Sequence, residues 1–171
     1  GQCQNLLSLS YGKIIEKDIN SNEGLLPESF NTYQIVSKGN LVFRLTDLQN
    51  DKKSLRVGYV DTDVQGIITS AYLVIDVNKK IYSKFAYYLL HAYDLRKVYY
   101  GMGGGVRQTL DFSNFKYLPI VVPEVIEQTK IARYLDEKLL LIDSIIEKKE
   151  ELMTILKEKR LAFIGESTLK G

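Results

Sequence analysis

The chain has 171 residues, of which 45% are hydrophobic and 26% are charged, a composition typical of globular proteins that excludes a disordered chain. The formal net charge is only +2, so overall charge does not by itself indicate a nucleic-acid-binding protein. One cysteine and one histidine exclude a disulfide framework and a zinc site of paired ligands, and no segment reaches the roughly 18 uninterrupted apolar residues of a membrane span, so we expect a cytoplasmic protein.

Residues 1–123 have the pattern of a mixed α and β domain. Short β-favouring runs alternate with turn residues: LLSLSY at 6–11, LVFRL at 41–45, GYV at 58–60, AYLVIDV at 71–77 and LPIVVP at 118–123. One helix interrupts these strands and is predicted to begin with Ser83 as its N-cap. The three- and four-residue spacing of Phe85, Tyr88, Leu89 and Ala92 predicts its inward face.

After this helix comes a glycine-centred segment, RKVYYGMGGGVRQT, which contains no carboxylate. Its basic residues Arg96, Lys97 and Arg107 are cationic donors, and its glycines let backbone N–H groups approach an anion closely. Tyr99 and Tyr100 offer flat amphipathic surfaces beside them. We therefore interpret the segment as a DNA-facing loop. Two alternatives stay open: an ordinary glycine-rich connection, and basic side chains that serve the helix dipole.

Catalytic motifs are missing from the sequence. GMGGGV does not satisfy G-x-G-x-x-G, no strand is evident before it, and no G-K-[ST] follows. Asp61 and Asp63 are typical of a turn rather than of an acid/base pair. We therefore predict no enzyme, no cofactor and no metal site on this chain.

Residues 124–164 contain neither proline nor glycine and follow Pro123, which predicts one long helix closed by Gly165. About 40 helical residues extend about 60 Å, so the helix is expected to need a partner. Its apolar stripe is wider than a two-stranded coil covers, so more than one neighbouring helix is expected; a helix bent back onto its own domain is the alternative. The residues predicted to face partner helices are Ile131, Leu135, Leu139, Ile142, Ile145, Ile146, Leu152, Met153 and Leu156.

Several motifs resemble the specificity subunits of Type I restriction-modification systems. GMGGGVRQTL, LPIVVP and EQTKIARYLDEKLLLID resemble that family's glycine-rich loop with an arginine, its short strand ending in proline, and the opening of its long helix. Upstream, LLSLSYG, KGNLVFRLTDL and GYVDTDVQGIITSAYLVI resemble successive parts of its target recognition domain. The resemblance extends over most of the chain.

The resemblance implies an α+β fold: a mixed α/β target recognition domain at 1–123, then a long helix with a tail at 124–171 that forms an antiparallel coiled coil with a partner. The domain would read one half of a bipartite double-stranded DNA target. The helix would dock methyltransferase subunits, which carry S-adenosylmethionine, and through them the restriction subunit. The chain would be either a natural half-subunit that pairs with itself as a homodimer or a fragment of a subunit with two recognition domains.

The same resemblance carries DNA contacts onto particular residues. Gly103, Gly104, Gly105 and Arg107 match the loop pattern that faces DNA in the family, and Gln108 is placed to reach a base edge. Further candidates lie in segments that resemble recognition-domain loops or strand ends, namely Lys13, Arg44 and Arg56. The competing hypothesis is a coiled-coil scaffold whose globular domain binds protein instead of DNA.

Overall fold

The computed structural model describes residues 5–17, 30, 32–48, 55–63, 65–105 and 109–169. It has the predicted α+β class, with two small sheets followed by a long helix. The elements in chain order are β1 Asn5–Ser10, β2 Lys13–Lys17, β3 Gln34–Val36, β4 Leu41–Phe43, β5 Val57–Tyr59, β6 Gly66–Ile68, β7 Leu73–Ile75, α1 Ser83–Leu95, a 3₁₀ turn Tyr100–Met102, α2 Phe112–Phe115 and α3 Val125–Leu169.

The strands form two separate sheets. The first has the order β2-β1-β6-β3, in which β1 and β6 are parallel and the other pairs are antiparallel. The second has the order β5-β4-β7 and is antiparallel throughout. In its register Phe43 pairs with both Val57 and Leu73, so β4 ends where β5 and β7 begin.

Strand β4 is buried on both faces. Leu41 and Phe43 pack into a core with α1, whereas Val42 packs into a second core formed mainly by the first sheet. Because successive side chains of a strand point to opposite faces, a central strand with no exposed residue must be apolar throughout. The position of β4 is therefore fixed from both sides.

The turn between β1 and β2 needs its glycine. Tyr11 and Gly12 have positive φ angles of 46° and 78°, as in a two-residue hairpin turn that matches the twist of the strands. A Cβ added at Gly12 would also lie 2.8 Å from the Cβ of Leu55. The turn is therefore packed against the chain that leads into β5.

Helix α1 begins one residue earlier than predicted, and only part of the predicted face is buried. Ser83 is its first residue, and Tyr82 holds the N-cap position without a side-chain capping bond. Phe85 is buried as predicted, but Ala92 is exposed. The other buried residues of the helix are Ala86, Leu90 and Asp94. Tyr88 and Leu89 are half-buried, so the predicted face was right in part. The prediction missed the buried row from Ala86 through Leu90 because that row ends in the carboxylate of Asp94.

The predicted strand at 118–123 is absent. Pro119 and Pro123 have no backbone N–H to donate to a ladder, and Val121 is 74% exposed. The segment is an irregular connection between α2 and α3.

Helix α3 is continuous and passes through Gly165 to Leu169. The predicted stop at Gly165 was wrong, since one glycine costs about 1 kcal/mol relative to alanine but does not interrupt a helix. The chain forms two compact units, Gly1–Thr129 and Lys130–Gly171, so the first turn of α3 belongs to the first unit. The predicted functional boundary between residues 123 and 124 stays a prediction.

Candidate nucleic-acid interface

The backbone leaves α1 through a well-defined cap. Lys97 adopts a left-handed conformation with φ 56°, its N–H donates to Asp94 O at 3.0 Å, and Val98 N–H donates to Tyr93 O at 2.9 Å. These two bonds are those of a Schellman cap, here with a lysine where glycine is usual. The cap turns the chain sharply toward the glycine segment.

Both ends of the glycine loop are tied to the fold. Gly104 and Thr109 form a β-bridge with backbone hydrogen bonds of 3.3 and 3.2 Å. Leu110 N–H then donates to Leu45 O at 2.9 Å, just beyond the end of β4. The loop is thus closed at its base and joined to the second sheet.

The glycines of this loop have different structural needs. Gly105 has φ 77°, a conformation that favours glycine. Gly104 has no such requirement, and a Cβ there would meet no atom of the described chain within 4 Å. Gly104 is therefore sterically open at its Cα, while its N–H and carbonyl are bonded to Thr109. Gly103 is extended and half-buried.

A buried polar network holds the start of this segment. Asp94 is fully buried; its Oδ1 accepts a hydrogen bond from Tyr100 Oη at 2.8 Å, and its Oδ2 accepts one from the Arg56 backbone N–H. Lys97 Nζ donates to Tyr100 Oη at 2.9 Å and lies 3.8 Å from Asp94 Oδ1. One carboxylate therefore joins the end of α1, the 3₁₀ turn and the chain entering β5.

The network keeps its tyrosine neutral. Burial, followed by the hydrogen bond and charge of Asp94, raises the pKa of Tyr100 well above its ordinary value. Burial likewise raises the pKa of Tyr99. Tyr100 therefore stays protonated and donates its hydrogen bond at neutral pH.

Three residues predicted to touch DNA are buried. Arg56 has no exposed surface, and its guanidinium donates to the carbonyls of Thr46 and Asp47 at 2.8 and 2.9 Å. Tyr99 is also fully buried, and Tyr100 is 9% exposed. A side chain without exposed surface cannot contact a duplex. Arg56 and Tyr99 therefore contribute to the packing of this region.

The cations differ in their availability. Lys13, Arg44 and Arg96 are exposed, whereas Lys97 is half-buried with its ammonium 4.3 Å from the centre of the Tyr100 ring. Arg107 and Gln108, the strongest candidates from the sequence, lie outside the described residues. Their assignment stays a prediction.

The structure brings most of these segments to one place. Arg44 follows β4, its N–H donates to Arg56 O at 2.9 Å, and the next residue, Leu45, is bonded to the base of the glycine loop. The turn before Lys13 packs on Leu55, beside Arg56. We call this region the β4 end: the C-terminal end of β4 with the 11–12 turn, the chain at 55–56, the end of α1 and the glycine loop.

Two buried polar residues of structural interest were missed from the sequence, Asp94 and Gln128. Asp94 follows Ala86 and Leu90 at four-residue intervals, which is the spacing of an inward row and would have indicated its burial. The burial of Gln128 had no comparable periodic signal, because two of its partners, Tyr82 and Lys80, are distant in the sequence.

Comparison with known proteins agrees with this geometry. The chain matches the family described as Type I restriction modification DNA specificity domain over residues 10–154, which is most of its length. These domains are non-catalytic modules for DNA target recognition. The chain belongs to this family. A comparison with curated protein sequences gives no match.

Two further features, a membrane-spanning helix and a metal-binding cluster, are absent among the described residues. No helix among the described residues is long and apolar enough to cross a membrane. Within the same ranges, no three or more of the histidine, cysteine, aspartate and glutamate side chains are grouped so that they could hold a metal ion.

Proposed function

We propose that the β4 end is the surface that meets DNA and reads one half of a bipartite target. The observation that carries the proposal is the convergence of exposed Arg44 and Arg96, the turn that leads into Lys13, and the sterically open Cα of Gly104. Cationic side chains and a closely approaching backbone bind phosphates and set the register of a protein on a duplex. Arg107 and Gln108, from the same loop, would supply contacts to bases.

We further propose that α3 pairs with a second long helix and docks methyltransferase subunits. Among the residues predicted to face a partner, Leu135 is half-buried and all the others are exposed, with Ile142 at 50% and Ile146 at 48%. Burying one such side chain fully is worth about 1.5 to 3 kcal/mol, so an uncovered row favours association. Self-pairing in an antiparallel coiled coil would give a two-fold symmetric pair and a palindromic split target.

In this proposal the chemistry belongs to other subunits. The methyltransferase subunits would bind S-adenosylmethionine and, when joined by the restriction subunit, support cleavage. This chain would contribute recognition alone. Such a complex would work in the cytoplasm, where it has access to DNA.

Selection from random duplexes tests the proposal. The full chain would be purified together with its methyltransferase, and bound DNA would be selected, sequenced and footprinted. We expect one enriched split sequence and protection over it. A complex that forms normally but enriches no sequence would favour the scaffold hypothesis, which predicts association through α3 without DNA affinity.

A further inference from the structure

A cleft of about 220 Å³ opens beside the glycine loop. Three segments line it: Leu45 and Thr46 after β4, the turn from Ser70 to Leu73 before β7, and the stretch from Thr109 to Phe112 after the loop. Since β7 begins opposite Phe43, the cleft lies at the β4 end. It is smaller than the cavities of about 300 Å³ or more that enclose whole small molecules.

The walls of the cleft are held by hydrogen bonds. Gln34 Nε2 donates to Thr69 O at 3.2 Å and to Tyr72 O at 2.6 Å, which fixes the turn before β7. The opposite wall is fixed by the bonds of Thr109 to Gly104 and of Leu110 to Leu45. The cleft is therefore formed before any ligand arrives.

Asp111 is the acidic residue among those that line this cleft. Its backbone carbonyl accepts the N–H groups of Asn114 and Phe115 at 3.1 and 2.9 Å, while its side chain makes no capping bond to α2. The residue is exposed. The carboxylate therefore does not cap α2.

An exposed carboxylate is unexpected on a surface that meets phosphates. At close range it repels a phosphate, so it weakens binding unless it accepts a hydrogen bond from a donor on the DNA. The donors that DNA offers in its major groove are the exocyclic amino groups of cytosine and adenine, and aspartate pairs typically with cytosine N4. Thr46, Ser70 and Thr109 line the same cleft, and a hydroxyl can donate or accept a hydrogen bond.

We propose that this cleft takes the edge of one base and that Asp111 determines its identity by accepting a hydrogen bond from an exocyclic amino group. The small volume suits an edge of a planar group better than an enclosed ligand. This proposal rests on the proposed function, because it assumes that the β4 end lies on DNA.

The test compares three variants in the same random-duplex selection with the methyltransferase complex. Asp111→Asn keeps the size and the favourable capping character of the residue but replaces one acceptor by a donor. Asp76→Asn makes the same change at an exposed residue after β7, at the opposite end of the second sheet. Asp111→Ser, another favourable capping residue, provides a second variant without a carboxylate.

We expect the wild type and Asp76→Asn to select the same sequence. Both Asp111 variants should change or lose the preference at one base pair by roughly tenfold or more and keep it elsewhere. If the wild type selects a sequence and both Asp111 variants select it unchanged, the role of Asp111 is refuted while the proposed function stands. If the wild type selects no sequence, the proposed function fails and this proposal with it.

Discussion

Asp94 is buried beneath the β4 end and holds several of its segments together. Its carboxylate is fully buried and accepts hydrogen bonds from the Arg56 backbone N–H and the Tyr100 hydroxyl. These bonds hold the chain that enters β5 and the 3₁₀ turn before the glycine loop. A buried carboxylate is tolerated only when hydrogen bonds and nearby charge replace water, and here Lys97 supplies the charge at 3.8 Å. Burying the carboxylate costs free energy, and its hydrogen bonds hold the surrounding segments in place.

Removing either partner of this network should lower stability. We expect Asp94→Asn to reduce the free energy of unfolding by about 1 to 3 kcal/mol, because an amide cannot accept both bonds. Tyr100→Phe should cost about 1 kcal/mol. Tyr93→Phe is the matched control, since the Tyr93 hydroxyl donates to Pro119 O at 3.3 Å at the exposed surface. Urea unfolding measures all three; an unchanged midpoint for Asp94→Asn would show that the network is not stabilising.

At the scale of elements, the sequence predicted what apolar runs determine by themselves. The strands at 41–43 and 73–75 lie inside the predicted runs and the strand at 57–59 overlaps the run at 58–60, because β-branched and aromatic residues fit a buried sheet. The glycine loop was likewise located from composition. The pattern failed where distant segments decide the outcome: the face of α1 depends on Asp94 finding partners, and 118–123 is apolar without joining a sheet.

Gln128 is a second residue whose role only the fold reveals. It is fully buried in the first turn of α3; its Oε1 accepts the Tyr82 N–H at 2.7 Å, and its Nε2 donates to Lys80 O and Pro123 O at 3.1 and 2.8 Å. The side chain thus joins the start of α3 to the start of α1 within the first unit.

Replacing Gln128 should loosen this junction. Gln128→Ala leaves the Tyr82 N–H without its acceptor, so we expect a loss of about 1 to 3 kcal/mol and faster hydrogen exchange at the Tyr82 amide. Glu127→Ala, at the exposed neighbouring position, should stay within about 0.5 kcal/mol of the wild type. Unaltered exchange at Tyr82 in Gln128→Ala would contradict the assignment.

The exposed face of α3 should control association. We expect Ile142→Asp to shift the protein toward smaller species in sedimentation velocity, because a charge cannot be buried in an apolar helix interface. Lys148→Asp places the same residue in the same helix at a position that is already charged and exposed. Equal sedimentation of the two variants would argue against a helix interface through Ile142.

At the scale of the whole molecule, a net charge of +2 must be reconciled with binding to a polyanion. Exposed arginines lie at the β4 end together with the exposed Asp111, and Asp63, which lies elsewhere, pairs with Lys38 at 2.7 Å. A local cationic surface on a nearly neutral protein predicts few phosphate contacts. Binding should then depend only moderately on salt.

Two roles of Arg96 can be distinguished by experiment: a contact to a DNA phosphate, and stabilisation of α1 through the helix dipole. If Arg96 contacts a phosphate in the methyltransferase complex, Arg96→Ala should lower affinity for the selected duplex and reduce the slope of log K against log salt by about 0.9. Lys79→Ala removes the same charge before α1, at the other end of a 13-residue helix about 20 Å long, and should leave the slope unchanged. If Arg96→Ala lowers stability by a few tenths of a kcal/mol without altering the slope, the dipole explains Arg96 and the DNA contact is lost from the proposal.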